Sequence, residues 1–172
     1  MVKLMLCAVI IAAGVGAGYL KAKPYENRLL HLQDLTLALK ALEGEMKYSR
    51  DPLGILLARI GEKLDNRAGV FFLEVRKNLE KEFSFDFQKA WNQAVAKVYG
   101  ETSLTAEDRD IVCQLAGELG KTDLTGQGSF FQRAFEKLAE KEKEAGEIRI
   151  TKGRMYRGLY TAVAVLIVII LI

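Results

Sequence analysis

The sequence has very few of the side chains from which catalytic and metal sites are usually built. It contains one histidine, His31, and two cysteines, Cys7 and Cys113. His31 has no cysteine or second histidine at a metal-binding spacing, so we interpret it as a helix-surface residue, and no nucleophile has a matching base. Cys7 lies in an uncharged segment and Cys113 in a helical pattern, which excludes a disulfide framework. We therefore expect no enzyme activity, no metal site and no cofactor.

Two long segments near the ends of the chain lack charged residues. Leu4 to Leu20 and Leu159 to Ile172 contain no Asp, Glu, Lys or Arg. Each run approaches the roughly 20 residues that a transmembrane helix needs. We predict transmembrane helices at residues 1–20 and 159–172, with one domain at residues 21–158 between them. Two alternatives stay open: the first segment as a secretory signal peptide, and the second as a buried helix of a soluble domain.

Basic residues lie on the inner flanks of both uncharged segments. On the outer flanks of the two segments Lys3 is the only basic side chain, whereas the inner flanks carry Lys21, Lys23, Arg28, Arg149, Lys152, Arg154 and Arg157. Cations next to transmembrane helices stay in the cytoplasm. The central domain is therefore predicted to be cytoplasmic, in a two-pass protein of the cell membrane. Attraction to anionic lipid headgroups explains the mild net charge of +3 without any nucleic acid.

Apolar residues in the central region recur at steps of three and four, which predicts helices. The first is expected to start just after Pro24 and to end at Ser49 to Pro52, and Asn66 to Gly69 is the next break. No strand is predicted. We expect an all-α fold, an antiparallel six-helix bundle flanked by N- and C-terminal transmembrane helices, whose sixth helix can continue into the second transmembrane segment.

Local signals mark the ends of the later helices. After a turn around Ser84, Asp86 is the expected N-cap of the fourth helix, and Thr105 with Asp108 forms a capping-box-like start for the fifth. Gly100 and Gly120 are expected to close these two helices. Trp91 lies on the apolar stripe of the fourth helix, so we expect it in the core.

Two glycine-containing motifs suggest more specific roles. Gly14 and Gly18 have the G-x-x-x-G spacing that lets two transmembrane helices approach closely, although short patterns of this kind also arise by chance. Gly120, Lys121 and Thr122 match the end of a phosphate-binding loop. The glycine that this loop requires five residues earlier is Leu115, and a helix precedes the motif, so we interpret it as a helix end.

Several further motifs occur in the order found in one known family. These are Glu45 to Tyr48, Pro52-Leu53, Trp91, Leu119-Gly120 with Asp123 and Gln127, and the basic stretch Lys152 to Arg157. With its two terminal hydrophobic segments, the chain resembles the stage III sporulation protein AB family of endospore-forming bacteria over its whole length. That family is similar in turn to the cytoplasmic six-helix domains of platform protein F from type II secretion and type IV pilus machines.

The resemblance implies a non-enzymatic platform in a channel complex that links mother cell and forespore. Its implied location is the outer forespore membrane, with the central domain on the mother-cell side. The implied partners are a secretion-type ATPase, stage III sporulation protein AA, and other membrane components of the complex. Platform proteins usually carry two such domains, so a homodimer is a further expectation. The alternative is an adaptor that tethers a cytosolic partner without transmitting force.

Two polar turns coincide with the family-like motifs, at residues 48–51 and 121–127. Loop ends can offer polar groups to a partner, so Arg50, Lys121, Asp123 and Gln127 are the candidate partner-binding residues. The alternative interpretation of Asp123 and Gln127 is that they cap the sixth helix.

Overall fold

The computed structural model describes residues 2–49, 51–81, 86–119 and 124–171, and the side chains of residues 5–49, 51–81, 86–119 and 129–170. Within these residues the chain forms helices and no strand. The helices are α1 (Val2–Tyr48), α2 (Leu53–Lys63), α3 (Arg67–Lys81), α4 (Phe87–Tyr99), α5 (Ala106–Leu119) and α6 (Leu124–Leu171). The predicted all-α fold of six helices, with long apolar helices at both ends, is confirmed, as is the continuation of the sixth helix into the second apolar segment.

The chain divides into two compact units. Unit 1 consists of Met1–Leu29 and Lys143–Ile172, and unit 2 consists of Leu30–Glu142. Helices α1 and α6, which are 47 and 48 residues long, each contribute residues to both units. The expected domain boundaries, at residues 20/21 and 158/159, stay predictions.

Unit 2 has a core of large apolar side chains. Trp91 is fully buried, its Nε1–H donates a hydrogen bond of 2.9 Å to the carbonyl oxygen of Val112, and its ring meets Phe71 edge to face at a centroid distance of 4.8 Å. Helix α2 contacts α3, α3 contacts α4, and α4 contacts α5. The predicted apolar stripes supply nearly all the other large buried side chains, which are Leu32, Leu35, Leu39, Leu42, Leu56, Leu57, Phe72, Phe131 and Leu138. Tyr99, which lies off the predicted stripe of the fourth helix, is also fully buried.

The predicted helix caps form as expected. Oδ1 of Asp86 accepts a hydrogen bond of 3.0 Å from the backbone N–H of Lys89. Thr105 and Asp108 bond reciprocally: the N–H of Thr105 donates to the Asp108 carboxylate at 2.9 Å, and the N–H of Asp108 donates to the Thr105 hydroxyl at 3.2 Å. Gly100 is the C-cap of α4. The expected turn at Ser84 and the helix end at Gly120 lie outside the described residues.

The predicted start of the first bundle helix, just after Pro24, is wrong. Pro24 lies inside α1, which runs without interruption from Val2 to Tyr48. A proline normally removes one helical hydrogen bond and costs about 3 kcal/mol. Packing on both sides of it offsets this cost, since Ala22 is 2% exposed and the 7% exposed Arg28 pairs with Glu144 of α6, while Pro24 itself is exposed. Sequence-local preference is overridden by contacts with a distant helix.

The expected break at residues 66–69 is shorter in the structure. Helix α3 begins at Arg67, because the side chain of Asn66 accepts a hydrogen bond of 3.1 Å from the N–H of Gly69. Gly69 is therefore helical, and its role is close approach: a Cβ at this position would overlap the carbonyl oxygen of Leu64 and lie 2.8 Å from that of Gly61. The two glycines let α2 and α3 meet backbone to backbone at their corner.

The apolar segments of unit 1 have little burial. Both α1 and α6 contain an 18-residue stretch that is apolar enough to cross a membrane, and only 17% of each stretch is buried. Met5, Leu20, Ile169 and Ile170 are each at least 70% exposed. A buried helix of a soluble domain would hide such side chains, so the exposure favours membrane-spanning segments for both helices.

Candidate functional site

Most of the predicted partner-binding residues fall outside the part of the chain that the structure describes. Arg50, Lys121 and Asp123 lie outside the described residues, and so does the phosphate-loop-like motif from Gly120 onwards. Gln127 belongs to α6, but its side chain lies outside the described residues. The role of all four in partner binding stays a prediction.

The described part of the turn after α1 contains a compact ionic network. The Arg59 guanidinium donates to Asp51 at 2.6 Å and to Glu45 at 3.1 Å, and the hydroxyl of Ser49 donates to Asp51 at 2.7 Å. The hydrogen bond from Ser49, followed by that from Arg59, holds the pKa of Asp51 below its ordinary value. The polar groups of Ser49 and Asp51 are therefore used within the fold, whereas the ring of Tyr48 is 93% exposed and can meet a partner.

An apolar groove of about 560 Å³ begins one residue after this turn. Its walls come from the start of α2, the end of α3 and the start of α4, with Ile55, Leu79 and Phe87 among the lining side chains. Arg76 lies at the groove and bridges to Glu80 at 3.0 Å. In the sequence, this groove is indicated by Ile55, an apolar residue that lies off the apolar stripe of its helix. In the structure Ile55 is 51% exposed.

His31 is half-buried and is not the helix-surface residue that the sequence suggested. Its ring meets Tyr99 at a centroid distance of 6.3 Å, and neither its Nδ1 nor the Tyr99 hydroxyl has a hydrogen-bond partner among the described residues. Burial, and then the positive charge of Arg67, lowers the pKa of His31, while Asp34 opposes the shift. Burial also raises the pKa of Tyr99. Both rings are therefore neutral near pH 7.

In unit 1, the predicted G-x-x-x-G residues lie against α6. A Cβ at Gly14 would overlap the side chain of Ala164, and a Cβ at Gly18 would lie 3.1 Å from Cβ of Tyr160 and 3.2 Å from Cα of Arg157. Gly16, between them, faces open space. The spacing therefore puts two glycines where the helices meet and one where they do not; their role in packing stays a prediction.

Basic and aromatic side chains gather just beyond the apolar segments of unit 1. Tyr25 of α1 stacks on Tyr156 of α6 at a centroid distance of 6.0 Å, and Nζ of Lys152 lies 5.9 Å from the Tyr25 ring. Arg28 pairs with Glu144 at 3.2 Å. Since Arg28 is buried, it links the helices and does not add to the exposed positive surface that the sequence suggested.

The described residues offer little for bond-making chemistry. No group of three or more His, Cys, Asp or Glu side chains among them is arranged to hold a metal ion. Burial, and then the negative charge of Asp110, raises the pKa of the Cys113 thiol, which disfavours the reactive thiolate. What the described surfaces offer is contact, through the Tyr48 turn, the apolar groove and the basic region of unit 1.

Comparison with known proteins identifies the family. Residues 3–172 match the model of the stage III sporulation protein AB family. Stage III sporulation protein AB of Bacillus subtilis (strain 168) is 26% identical over 171 residues, which covers 99% of each chain. A solved structure of stage III sporulation protein AB superposes with a TM-score of 0.66 at 25% identity, covering 73% of this chain and 98% of that one. The chain therefore belongs to the stage III sporulation protein AB family, and its role lies in sporulation.

Proposed function

We propose that this protein is a non-enzymatic membrane platform of a secretion or feeding channel between mother cell and forespore, where it couples a cytosolic secretion-type ATPase to the membrane complex. The observation that carries the proposal is the continuity of α1 and α6. Each helix holds core residues of unit 2 at one end and the exposed apolar segment of unit 1 at the other. Two unbroken helices can pass a displacement of the core to the membrane segments.

The coupling requires that α1 and α6 move together. Within unit 1 they are joined by the Arg28–Glu144 ion pair and by the stacked rings of Tyr25 and Tyr156. Within unit 2 the hydroxyl of Thr36 in α1 donates a hydrogen bond of 2.5 Å to Glu142 in α6. These cross-links favour a concerted shift of both helices over independent sliding.

The proposed partner is the sister protein of the family, the ATPase stage III sporulation protein AA, together with other membrane components of the complex. The docking edge is proposed at Arg50, Lys121, Asp123 and Gln127, and the exposed Tyr48 is two residues before Arg50 in the sequence. A second copy of this chain, as a homodimer, would supply the second domain of a complete platform. The central domain is proposed on the mother-cell side of the outer forespore membrane.

Flexible insertions in the two long helices distinguish a platform that transmits force from an adaptor that only tethers a partner. Insert six Gly/Ser residues after Leu29 in α1 and after Glu142 in α6, at the boundaries between the units. The full chain should still reach the membrane and capture the ATPase, but it should fail to restore spore formation in a strain that lacks the native protein. The control carries the same insertion after Ser103, in the loop between α4 and α5. Normal spore formation with the helix insertions would favour the adaptor.

The docking edge is tested with a triple variant, Arg50→Gln, Lys121→Gln and Gln127→Ala, that leaves Asp123 intact. We expect an unchanged melting temperature and loss of ATPase capture in a pull-down. A lower melting temperature would assign these residues to the fold, and unchanged capture would move the interface elsewhere on the bundle. Tyr48→Ala, at an exposed position of the same turn, reports whether the aromatic ring belongs to the interface.

Sidedness is tested with an impermeant thiol reagent on intact cells. In a background with Cys7→Ser and Cys113→Ser, single cysteines are placed at Asn66 and at the C-terminus. The proposed topology predicts labelling at the C-terminus alone. Labelling at Asn66 alone would place the central domain on the other side of the membrane.

A further inference from the structure

A groove of about 330 Å³ lies between α1 and α6 in unit 1, just beyond the apolar segments. Ala22 and Glu26 line it from α1, and three arginines line it from α6: Arg149, Arg154 and Arg157. Gly153 lies opposite Ala22, with a Cβ position 4.0 Å from the Ala22 Cβ, so the two helices are close at the floor of the groove. Three guanidinium groups therefore border one concave surface.

The positive charge of this groove is not neutralised by ion pairs among the described residues. Among the residues that the structure describes, none of the three arginines forms an ion pair, and all three are exposed. The guanidinium of Arg157 lies 5.3 Å from the centroid of the Tyr19 ring, a contact that orients it while leaving its N–H donors available. Glu26, the acidic side chain of the groove, is bridged to Lys23 at 3.3 Å. A net positive charge is left for a ligand.

The groove lies at the depth of lipid headgroups. At 1.5 Å per helical residue, Arg157 and Arg154 are about 3 and 8 Å along α6 from Leu159, where its uncharged segment begins, whereas Arg149 is about 15 Å away. The polar layer of one leaflet is roughly 5–8 Å thick. The exposed apolar side chains of the segment lie against acyl chains, so the phosphate of a lipid next to α6 reaches the level of Arg154 and Arg157.

We propose that this groove binds the headgroup of one anionic phospholipid, such as phosphatidylglycerol, with Arg154 and Arg157 as the phosphate ligands and Arg149 adding positive charge at the outer end of the groove. A guanidinium presents two parallel N–H donors that match two phosphate oxygens, which gives a tighter and more directional contact than a lysine ammonium. The site rests on membrane insertion of the two apolar segments and does not depend on the platform role. It differs from general attraction to a charged membrane because particular residues, and one lipid per chain, are involved.

The test compares two double variants of equal charge in the purified full chain. Arg154→Gln with Arg157→Gln removes the two phosphate ligands, whereas Lys21→Gln with Lys152→Gln removes two neighbouring cations that do not line the groove. Fluorescently labelled phosphatidylglycerol is titrated into each protein in neutral detergent, and circular dichroism verifies the fold. We expect saturation at one lipid per wild-type chain, a loss of affinity of roughly tenfold or more for the arginine variant, and under about threefold for the lysine variant.

Three outcomes would overturn the proposal. Equal losses in the two variants would mean diffuse electrostatics, and non-saturable binding by the wild type would mean that no discrete site exists. Displacement of the lipid by millimolar inorganic phosphate would show that the groove takes free anions.

A second pair of variants tests the effect of the negative charge in the groove. Glu26→Gln should tighten lipid binding, because it removes that charge, whereas Glu147→Gln, with the same charge change outside the groove, should leave affinity nearly unchanged. Weaker binding by Glu26→Gln would contradict the assignment.

Discussion

Unit 1 and unit 2 use apolar side chains in opposite ways. In unit 2 the large side chains are inside, with Trp91, Phe71 and Phe72 fully buried. In unit 1 most large apolar side chains are outside, and most buried positions of its helices are small, such as Gly18, Ala22 and Ala164, with Arg28 and Val168 as the larger exceptions. The long helices α1 and α6 contribute to both arrangements, so the difference does not come from helix propensity.

The contrast is the one expected if water surrounds unit 2 and lipid surrounds the apolar segments of unit 1, as proposed. Water drives large apolar side chains into a core, which stabilises roughly in proportion to the area buried. Lipid is as apolar as leucine and gives no such drive, so helices in a membrane associate through close packing of small residues. Unit 2 therefore has the composition of a water-soluble domain, and unit 1 that of a membrane helix pair.

Separation of the units is the most drastic test of this contrast. A fragment of residues 30–142 should be soluble and highly helical without detergent, because its core is complete within unit 2 and about 100 residues suffice for a stable domain. Far-UV circular dichroism and size-exclusion chromatography measure this. The full chain should require detergent under the same conditions. An aggregated or unfolded fragment would show that the helices of unit 1 are part of the core.

Removal of the Trp91 side chain should give the largest effect of a single substitution. Trp91→Ala should lower the free energy of unfolding by about 3–5 kcal/mol, because it opens a cavity and removes the hydrogen bond from the indole to the carbonyl oxygen of Val112. Urea denaturation of the full chain in mild detergent measures the change. Tyr48→Ala, at an aromatic residue that is 93% exposed, is the control and should change stability by less than about 0.5 kcal/mol. A near-neutral Trp91→Ala would assign the indole to a partner surface.

In unit 1, the stability of the helix pair should be most sensitive to replacement of a glycine by a larger residue. Gly18→Leu should destabilise the helix pair by roughly 1–3 kcal/mol, since a side chain there meets Tyr160 and the backbone of Arg157. Gly16→Leu makes the same chemical change where space is open. Reversible unfolding in mixed micelles, followed by circular dichroism, should separate the two variants. Equal stability would mean that α1 and α6 do not pack through Gly18.

The smallest expected effect is a pH dependence from His31 in unit 2. Because its pKa is lowered in the folded state, the unfolded chain binds the proton more readily, and stability should fall as the pH drops below about 6.5. The charged groups that act on it are Arg67 and Asp34. Melting temperatures between pH 7.5 and pH 5 measure the slope. His31→Gln should flatten it, and since His31 is the only histidine, an unchanged slope would assign the dependence to carboxylates.

Local signals in the sequence were sufficient for the helices and several of their ends. The caps at Asp86 and at Thr105 with Asp108 involve residues three apart, and the sequence predicts both correctly. The expectation at Pro24 failed because the packing that keeps α1 continuous comes from α6, more than 100 residues later in the chain. Sequence periodicity does not report such distant contacts.

The surfaces were harder to predict than the helices. The sequence showed that basic residues flank the apolar segments. It did not show that Arg28 forms an ion pair with Glu144, or that Arg149 and Arg154 border a groove. Which cations are free depends on the pairing of α1 with α6. A signal was present in Gly153, a small residue amid long side chains that marks close approach, but its partner Ala22 is identifiable only in three dimensions.

The contact of Gly14 with Ala164 also constrains the order of events during biosynthesis. About 150 residues separate the two positions, which at roughly 5–20 residues per second is about 8–30 s of translation. In the proposed membrane topology, the first hydrophobic helix has no partner helix throughout that interval, and its glycine face is open to other membrane proteins. The nascent chain therefore spends its early life as a single-pass protein, and any factor that shields a glycine-rich helix has this window in which to act.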